Sequence, residues 1–275
     1  AEDGRDMLVR RGVSSPEGGK VVYQITRAAI AEPSLVKLAE ARLMDELPSL
    51  LPNPETLWEA RLQATGAATR RNADISDCFE LALAGASQAG DATISFQRTK
   101  AGLIFDIDGT GDPMAINIAA AGEIARLLRL YQVGAMAMID FIAVEAKQDR
   151  QAIADAFRAA SIADPRPYES TAVNGFGMMQ VVRARPRPSV LDILFGTRIA
   201  SLSDETQALS LLRQASASSG FGARTITAPT AVATLLAAPE WQQYRDAAER
   251  MTGATLAIVA DAAMSGYGHV HVSQA

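Results

Sequence analysis

LIFDIDGTGDPMAINIAAAGEIARLLRLYQVGAMAMIDFI, residues 103–142, changes its hydrophobic period twice, and the order of those changes decides the fold. Leu103–Asp108 reads as a short β-strand closing in an acidic, Gly-rich loop. From Ala115 to Leu130 the period becomes helical. Ile116, Ala120, Ile124, Leu127 and Leu128 share one apolar face, and Arg126 and Arg129 lie near the C-terminal end, where the helix dipole favours cations. Residues 135–144, AMAMIDFIAV, then form a nearly continuous apolar run, as in a buried strand. Strand, long helix and strand make a βαβ unit, whose handedness sets the two strands parallel in one sheet.

Open sheets of this kind place their sites outside the carboxyl ends of the strands. Each of these two strands carries an aspartate near that end, Asp106 in the first and Asp140 in the second. Two carboxylates facing one crevice repel unless a cation neutralises them, and hard oxygen donors suit Mg²⁺ or Mn²⁺. Asp108, two residues on and on the same side of its strand, is a candidate third ligand or water-orienting group. A single Asp at a strand end is as readily a turn or helix cap. The ordered pair points to metal chemistry.

Working outward, short strands are expected at residues 7–11 and 20–26, and helices at 55–63 and 76–88, with strands at 92–97 and 103–108 after the second helix. A further helix spans 146–160, and the run STAVNGFGMMQVVRARPRP gives one or two strands that Pro186 and Pro188 stop. After residue 197 the pattern alternates helices with strands at 224–227, 255–259 and 269–272. The expected organisation is an N-terminal region over 1–75, a catalytic α/β domain over 76–197 with a mixed sheet and helices, and a small C-terminal α/β domain over 198–275.

The 275 residues are enough to bury a sizeable core. A net charge of -5 argues against a broad basic face for nucleic acid, leaving room only for a local groove, of which RARPR at 183–187 is the best candidate. The opening AEDGRDMLVRR shows no signal peptide, no apolar run reaches membrane-spanning length, and one cysteine, Cys78, excludes an internal disulfide and suits a small core filler. A cytoplasmic setting is expected. His269 and His271 point to one face of a terminal strand and, with no third ligand near them in sequence, read as structural or surface groups.

FDIDGTG, then NIAAAGEIARLLRLYQVGAMAMIDFI, then STAVNGFGMMQVVRARPRPSV resemble, in order over about residues 76–190, the catalytic core of the ribonuclease E/G family. The resemblance implies a deoxyribonuclease-I-like or ribonuclease-H-like core with Asp106 and Asp140 as Mg²⁺ (or Mn²⁺) ligands. It implies an endoribonuclease that cuts single-stranded RNA by in-line attack of a metal-activated water. Asp108 stands where the family has an orienting Asn, and Ala143 where it has a further carboxylate. Phe176, Arg183 and Arg185 match its Phe-Gly and Arg-x-Arg. Together with Arg126 and Arg129 they are the candidate RNA-binding residues, the arginines on phosphates and Phe176 stacked on a base. The family's zinc link should lie near 190–203, where there is no Cys, so any homo-oligomer is expected to form without it. Residues 7–26 correspond to no more than a remnant of the family's OB-type RNA-binding domain, which implies a weaker hold on RNA and no 5′-end sensing.

Two other readings share these residues. A catalytically weakened RNA-binding scaffold would explain the departures at Asp108 and Ala143. FDIDGTG also resembles the nucleophile loop of haloacid-dehalogenase-like phosphatases, with Asp106 as nucleophile, Asp108 as general acid and Asp261 as the late acidic residue.

Overall fold

The computed structural model describes residues 6–9, 19–44 and 76–273. The helix expected at 55–63 and the end of the first expected strand, Arg10 and Arg11, lie outside these residues. The chain divides into two compact units, residues 1–191 and 192–275.

The first unit is built on a six-stranded mixed sheet, order β10-β11-β9-β8-β7-β6, from β6 (Ala86–Ala89), β7 (Ala92–Arg98), β8 (Leu103–Gly109), β9 (Ala135–Asp140), β10 (Tyr168–Ser170) and β11 (Met178–Arg183). The expected βαβ unit is present: β8 and β9 run parallel, and α2 (Pro113–Leu130) connects them. Asp112 caps α2, its carboxylate accepting the amides of Met114 and Ala115 at 3.2 Å each, and Pro113 opens the first turn. The helix lays Ile116, Ala120, Ile124, Leu127 and Leu128 onto β6, β7 and β8 and packs beside α3 (Lys147–Ser161). Leu103, Phe105 and Ile107 of β8 and Ile139 of β9 meet that layer and are buried. The intervening residues of β8, Ile104, Asp106 and Asp108, stay exposed on the other face.

One boundary differs from expectation. Helix α1 (Ser76–Ala84) stops at Gly85, whose φ of 62° is left-handed, so residues 86–89 turn back as edge strand β6 against β7 instead of extending the helix to Gln88. Ahead of α1 lie β1 (Met7–Val9), β2 (Val22–Arg27) and β5 (Ala39–Met44), which form a three-stranded sheet in the order β1-β5-β2, and the hairpin β3 (Ile30–Glu32) and β4 (Leu35–Lys37). This segment is tied to the main sheet: Ala28 N donates to Pro186 O at 3.2 Å, and Glu32 pairs with Arg185.

After α4 (Val190–Phe195), the second unit contains α5 (Asp204–Ala217), β12 (Arg224–Pro229), α6 (Thr230–Ala237), α7 (Gln242–Thr252), β13 (Leu256–Asp261) and β14 (His269–Val272). β12 is central, parallel to β13 and antiparallel to β14. Its inward residues Ile226 and Ala228 share a core with Leu211, Val232 and Leu236. This is the small C-terminal α/β fold read from the sequence.

Candidate active site

Asp106 and Asp140 are direct partners in the register between β8 and β9, at the carboxyl end of the parallel pair. Adjacent strands lie about 4.8 Å apart, so the two carboxylates leave neighbouring backbones on one exposed face. Among the described residues neither has a hydrogen-bond or ion-pair partner. Burial, and secondly the charge of Asp106, push the Asp140 carboxyl above its usual value. Asp108 lies on the same face, one pleat further along β8.

No three His, Cys, Asp or Glu side chains gather as a metal site among the described residues, so Asp108 does not join the pair as a third direct ligand. The donor set is nevertheless one that fits Mg²⁺, which commonly binds through one or two carboxylates while keeping waters and substrate phosphate oxygens in its remaining positions. His269 and His271 alternate on β14, and Asp261 ends β13, where its carboxylate accepts the Ala263 amide at 2.9 Å as a turn cap.

The arginines are not brought to this pair. β11 runs antiparallel to β9, with Met178 opposite Asp140 but Arg183 opposite Ala135, at the far end of the sheet. Five residue steps separate those ends, roughly 17 Å. Because α2 returns the chain from the carboxyl end of β8 to the start of β9, Arg126 and Arg129 also fall at the far end. Arg183 is a plain correction. It is buried, with its guanidinium held by Asp164 and by the carbonyls of Leu128 and Val133, so it locks the end of α2 to the sheet and cannot take a phosphate. Arg185 is likewise committed to Glu32. Arg126 forms a two-pronged pair with Glu123, 2.7 Å on each side, and Ser87 adds a third hydrogen bond to that carboxylate. Burial raises the Glu123 pKa, but the bonds from Arg126 and Ser87 more than offset it and the net shift is downward.

Phe176 does belong to the site's end of the sheet. It is 85% exposed at the tip of the turn Asn174–Gly177, two residues before Met178, the register partner of Asp140. The Asn174 side-chain amide oxygen accepts the backbone amides of Phe176 at 2.9 Å and Met178 at 3.1 Å, an Asx turn that stiffens the loop. Gly177, at φ 87°, lets the backbone pass so close to Phe141 that a Cβ there would meet its carbonyl oxygen at 2.2 Å. The sequence offered a signal for this, the Asn-Gly and Phe-Gly steps of a tight turn. Two further residues escaped the sequence reading: Asn117, wholly buried on α2 and bonded to the chain just past Asp140, and Lys147, exposed at the start of α3.

The geometry is that of an open-sheet α/β protein with a carboxylate pair at the ends of two parallel strands. Residues 109–186 match the Ribonuclease E/G family. A stretch of 77 residues is 30% identical to a protein of Arabidopsis thaliana named ribonuclease E/G-like protein, chloroplastic, covering 28% of this chain and 8% of that protein. The matched segment holds Asp140, Asn117 and Phe176 and begins just after Asp108, and the chain spans only a small part of that relative's length. No helix among the described residues is long and apolar enough to cross a membrane.

Proposed function

We propose that the protein is a metal-dependent endoribonuclease acting on single-stranded RNA, with Asp106 and Asp140 as the ligands of a Mg²⁺ or Mn²⁺ ion. The observation that carries this reading is the in-register pairing of two exposed carboxylates, without partners among the described residues, at the carboxyl ends of β8 and β9. The ion would supply a water nucleophile and offset charge on the scissile phosphate. The chain's own residues do the rest. Asp106 and Asp140 hold the ion on the open face, and Asp108, one pleat on, orients a water by accepting its hydrogen bond. Phe176 offers its ring to a base next to the cleaved phosphate.

Phosphate contacts at this end fall to Lys147, exposed in the first turn of α3. Of the residues read from the sequence, Arg129 is left to guide a longer RNA at the opposite end of the sheet, while Arg126, held by Glu123, contributes less. Strong salt dependence is expected of any RNA binding. One cysteine fits a reducing compartment such as the cytoplasm.

A labelled, unstructured RNA oligomer incubated with Mg²⁺ or Mn²⁺ tests the reading. Wild type should cut it, and Asp106→Asn and Asp140→Asn should each lower the rate by about a thousandfold or more, the equivalent of roughly 4 kcal/mol of transition-state stabilisation. If the wild type binds the oligomer but never cuts it, the protein is an RNA-binding scaffold. That second reading is favoured by the lack, among the described residues, of a third carboxylate beside the pair, with Ala143 exposed in the loop after Asp140.

A further inference from the structure

We propose that Asn117 is the positioning residue for Asp140: its side-chain amide locks the chain at Ile142 and thereby fixes the direction in which the Asp140 carboxylate leaves β9. The inference rests on Asp140 being a metal ligand.

Asn117 sits near the N-terminal end of the buried stripe of α2, with Ile116, Ala120 and Ala121 around it, and has no exposed surface. Asn is a mediocre helix former, and a buried amide costs free energy unless its donor and acceptor are both bonded. Packing alone would be served by an apolar residue. Both bonds of Asn117 go to one residue: Nδ2 donates to Ile142 O at 2.8 Å, and Oδ1 accepts from Ile142 N at 3.0 Å. Such a pair of bonds to one residue is what a neighbouring strand provides in an antiparallel ladder.

The location gives the bonds their meaning. β9 ends at Asp140, and its pairing with β8 ends there too, at Asp106. Beyond that point Phe141 N donates to Gly177 O at 3.1 Å toward the β11 side. Successive residues of an extended chain offer their polar groups to opposite sides, so those of Ile142 face the side on which the pairing with β8 has ended. Asn117 fills that side. The segment just past Asp140 is therefore held from both flanks, by Gly177 and by Asn117. Since the Asp106 and Asp140 carboxylates have no hydrogen-bond partners of their own among the described residues, the spacing of the pair is set by backbone held in this way.

The test is Mn²⁺ affinity of the full chain, read from the electron paramagnetic resonance signal of free Mn²⁺, for wild type, Asn117→Leu and Ile124→Ala. Leu keeps the heavy-atom branching of Asn and leaves both polar groups of Ile142 unpaired. Ile124→Ala opens a cavity in the same helix face, farther along from Ile142, and reports what loss of stability alone does. Asn117→Leu should weaken Mn²⁺ binding about tenfold or more, the usual consequence of removing a group that orients a metal ligand, while Ile124→Ala melts earlier but binds as wild type. If Asn117→Leu does not fold, Asn117→Ser, which keeps a hydroxyl but loses the two-point contact, takes its place under the same criteria. Binding by the Asn117 variant that equals wild type, or falls no further than in Ile124→Ala, overturns the positioning role while leaving the metal site standing. No Mn²⁺ uptake by the wild type overturns the metal reading itself and the positioning role with it.

Discussion

The two faces of the sheet β8–β9–β11 treat charge in opposite ways. On the helix-covered face, Arg183 and Asp164 are both buried, each with side-chain exposure of 5% or less, and they neutralise each other while the carbonyls of Leu128 and Val133 accept from Arg183 Nη1. On the open face, Asp106 and Asp140 carry the same sign, stand side by side, and have no partner among the described residues. A two-residue period along one strand separates these environments: Phe105 is buried and its neighbour Asp106 exposed. Charge that has been compensated holds the fold together. Charge left uncompensated is what a cation and a polyanion can use.

The sharpest way to break this contrast is to remove one member of the compensated pair. Arg183→Ala leaves Asp164 buried and unpaired and should cost about 3–5 kcal/mol, a range typical of breaking such pairs. Urea unfolding followed by circular dichroism reads the loss directly. The double variant Arg183→Met with Asp164→Leu should recover most of it. A single variant within 1 kcal/mol or so of wild type would mean that the pair is solvated and that Arg183 is free to meet RNA after all.

The same contrast explains what was legible in the sequence. Alternation in β8, the helical period of α2 and the apolar run of β9 fix the βαβ unit by local rules, and with it the meeting of Asp106 and Asp140. Arg183 and Arg185 are engaged within the fold because 'basic and clustered in sequence' says nothing about which face or end of a sheet a residue occupies. Arg183 is set inward by strand parity, and its partner Asp164 lies 19 residues away. Asn117 was invisible for a related reason: its partner is backbone 25 residues downstream, and backbone has no signature in the sequence. β5, AEARLM, is composed of helix-favouring residues, yet it pairs with β1 and β2, so non-local pairing overrides propensity. Phe176, by contrast, sits on a turn whose Asn and Gly residues announce it.

Phe176 tests whether the open face and its rim handle RNA. In an Asp106→Asn background, to prevent cutting, Phe176→Ala should weaken binding of an unstructured oligomer by about 1–3 kcal/mol by fluorescence anisotropy, the range for losing one stacked base. Phe176→Tyr should keep most of the affinity. Because the ring is exposed, unfolding stability should stay within about 0.5 kcal/mol of wild type. Equal affinity in the Ala variant would move the RNA path away from the β9–β11 turn.

The smallest effect concerns the open face alone and runs opposite in sign to that of Arg183. Burial and the neighbouring Asp106 charge hold the Asp140 carboxyl above its ordinary value, so the fold favours the neutral form. The stabilising contribution is then fully present below the unfolded carboxyl pKa of about 4 and is lost as pH rises through the folded value, which leaves the ionised group a net cost at neutral pH. Asp140→Asn is neutral at every pH and escapes that cost. Without metal it should therefore be more stable than wild type at pH 7, by less than about 1 kcal/mol because the group is largely exposed and screened, and the difference should fade below pH 4. Adding Mg²⁺ should reverse the order, raising the melting temperature of wild type through binding to the folded state while leaving the variant unmoved. A variant less stable than wild type at pH 7 without metal would show that Asp140 is a structural group like Asp164, and the distinction between the two faces would fail at the residue on which it most depends.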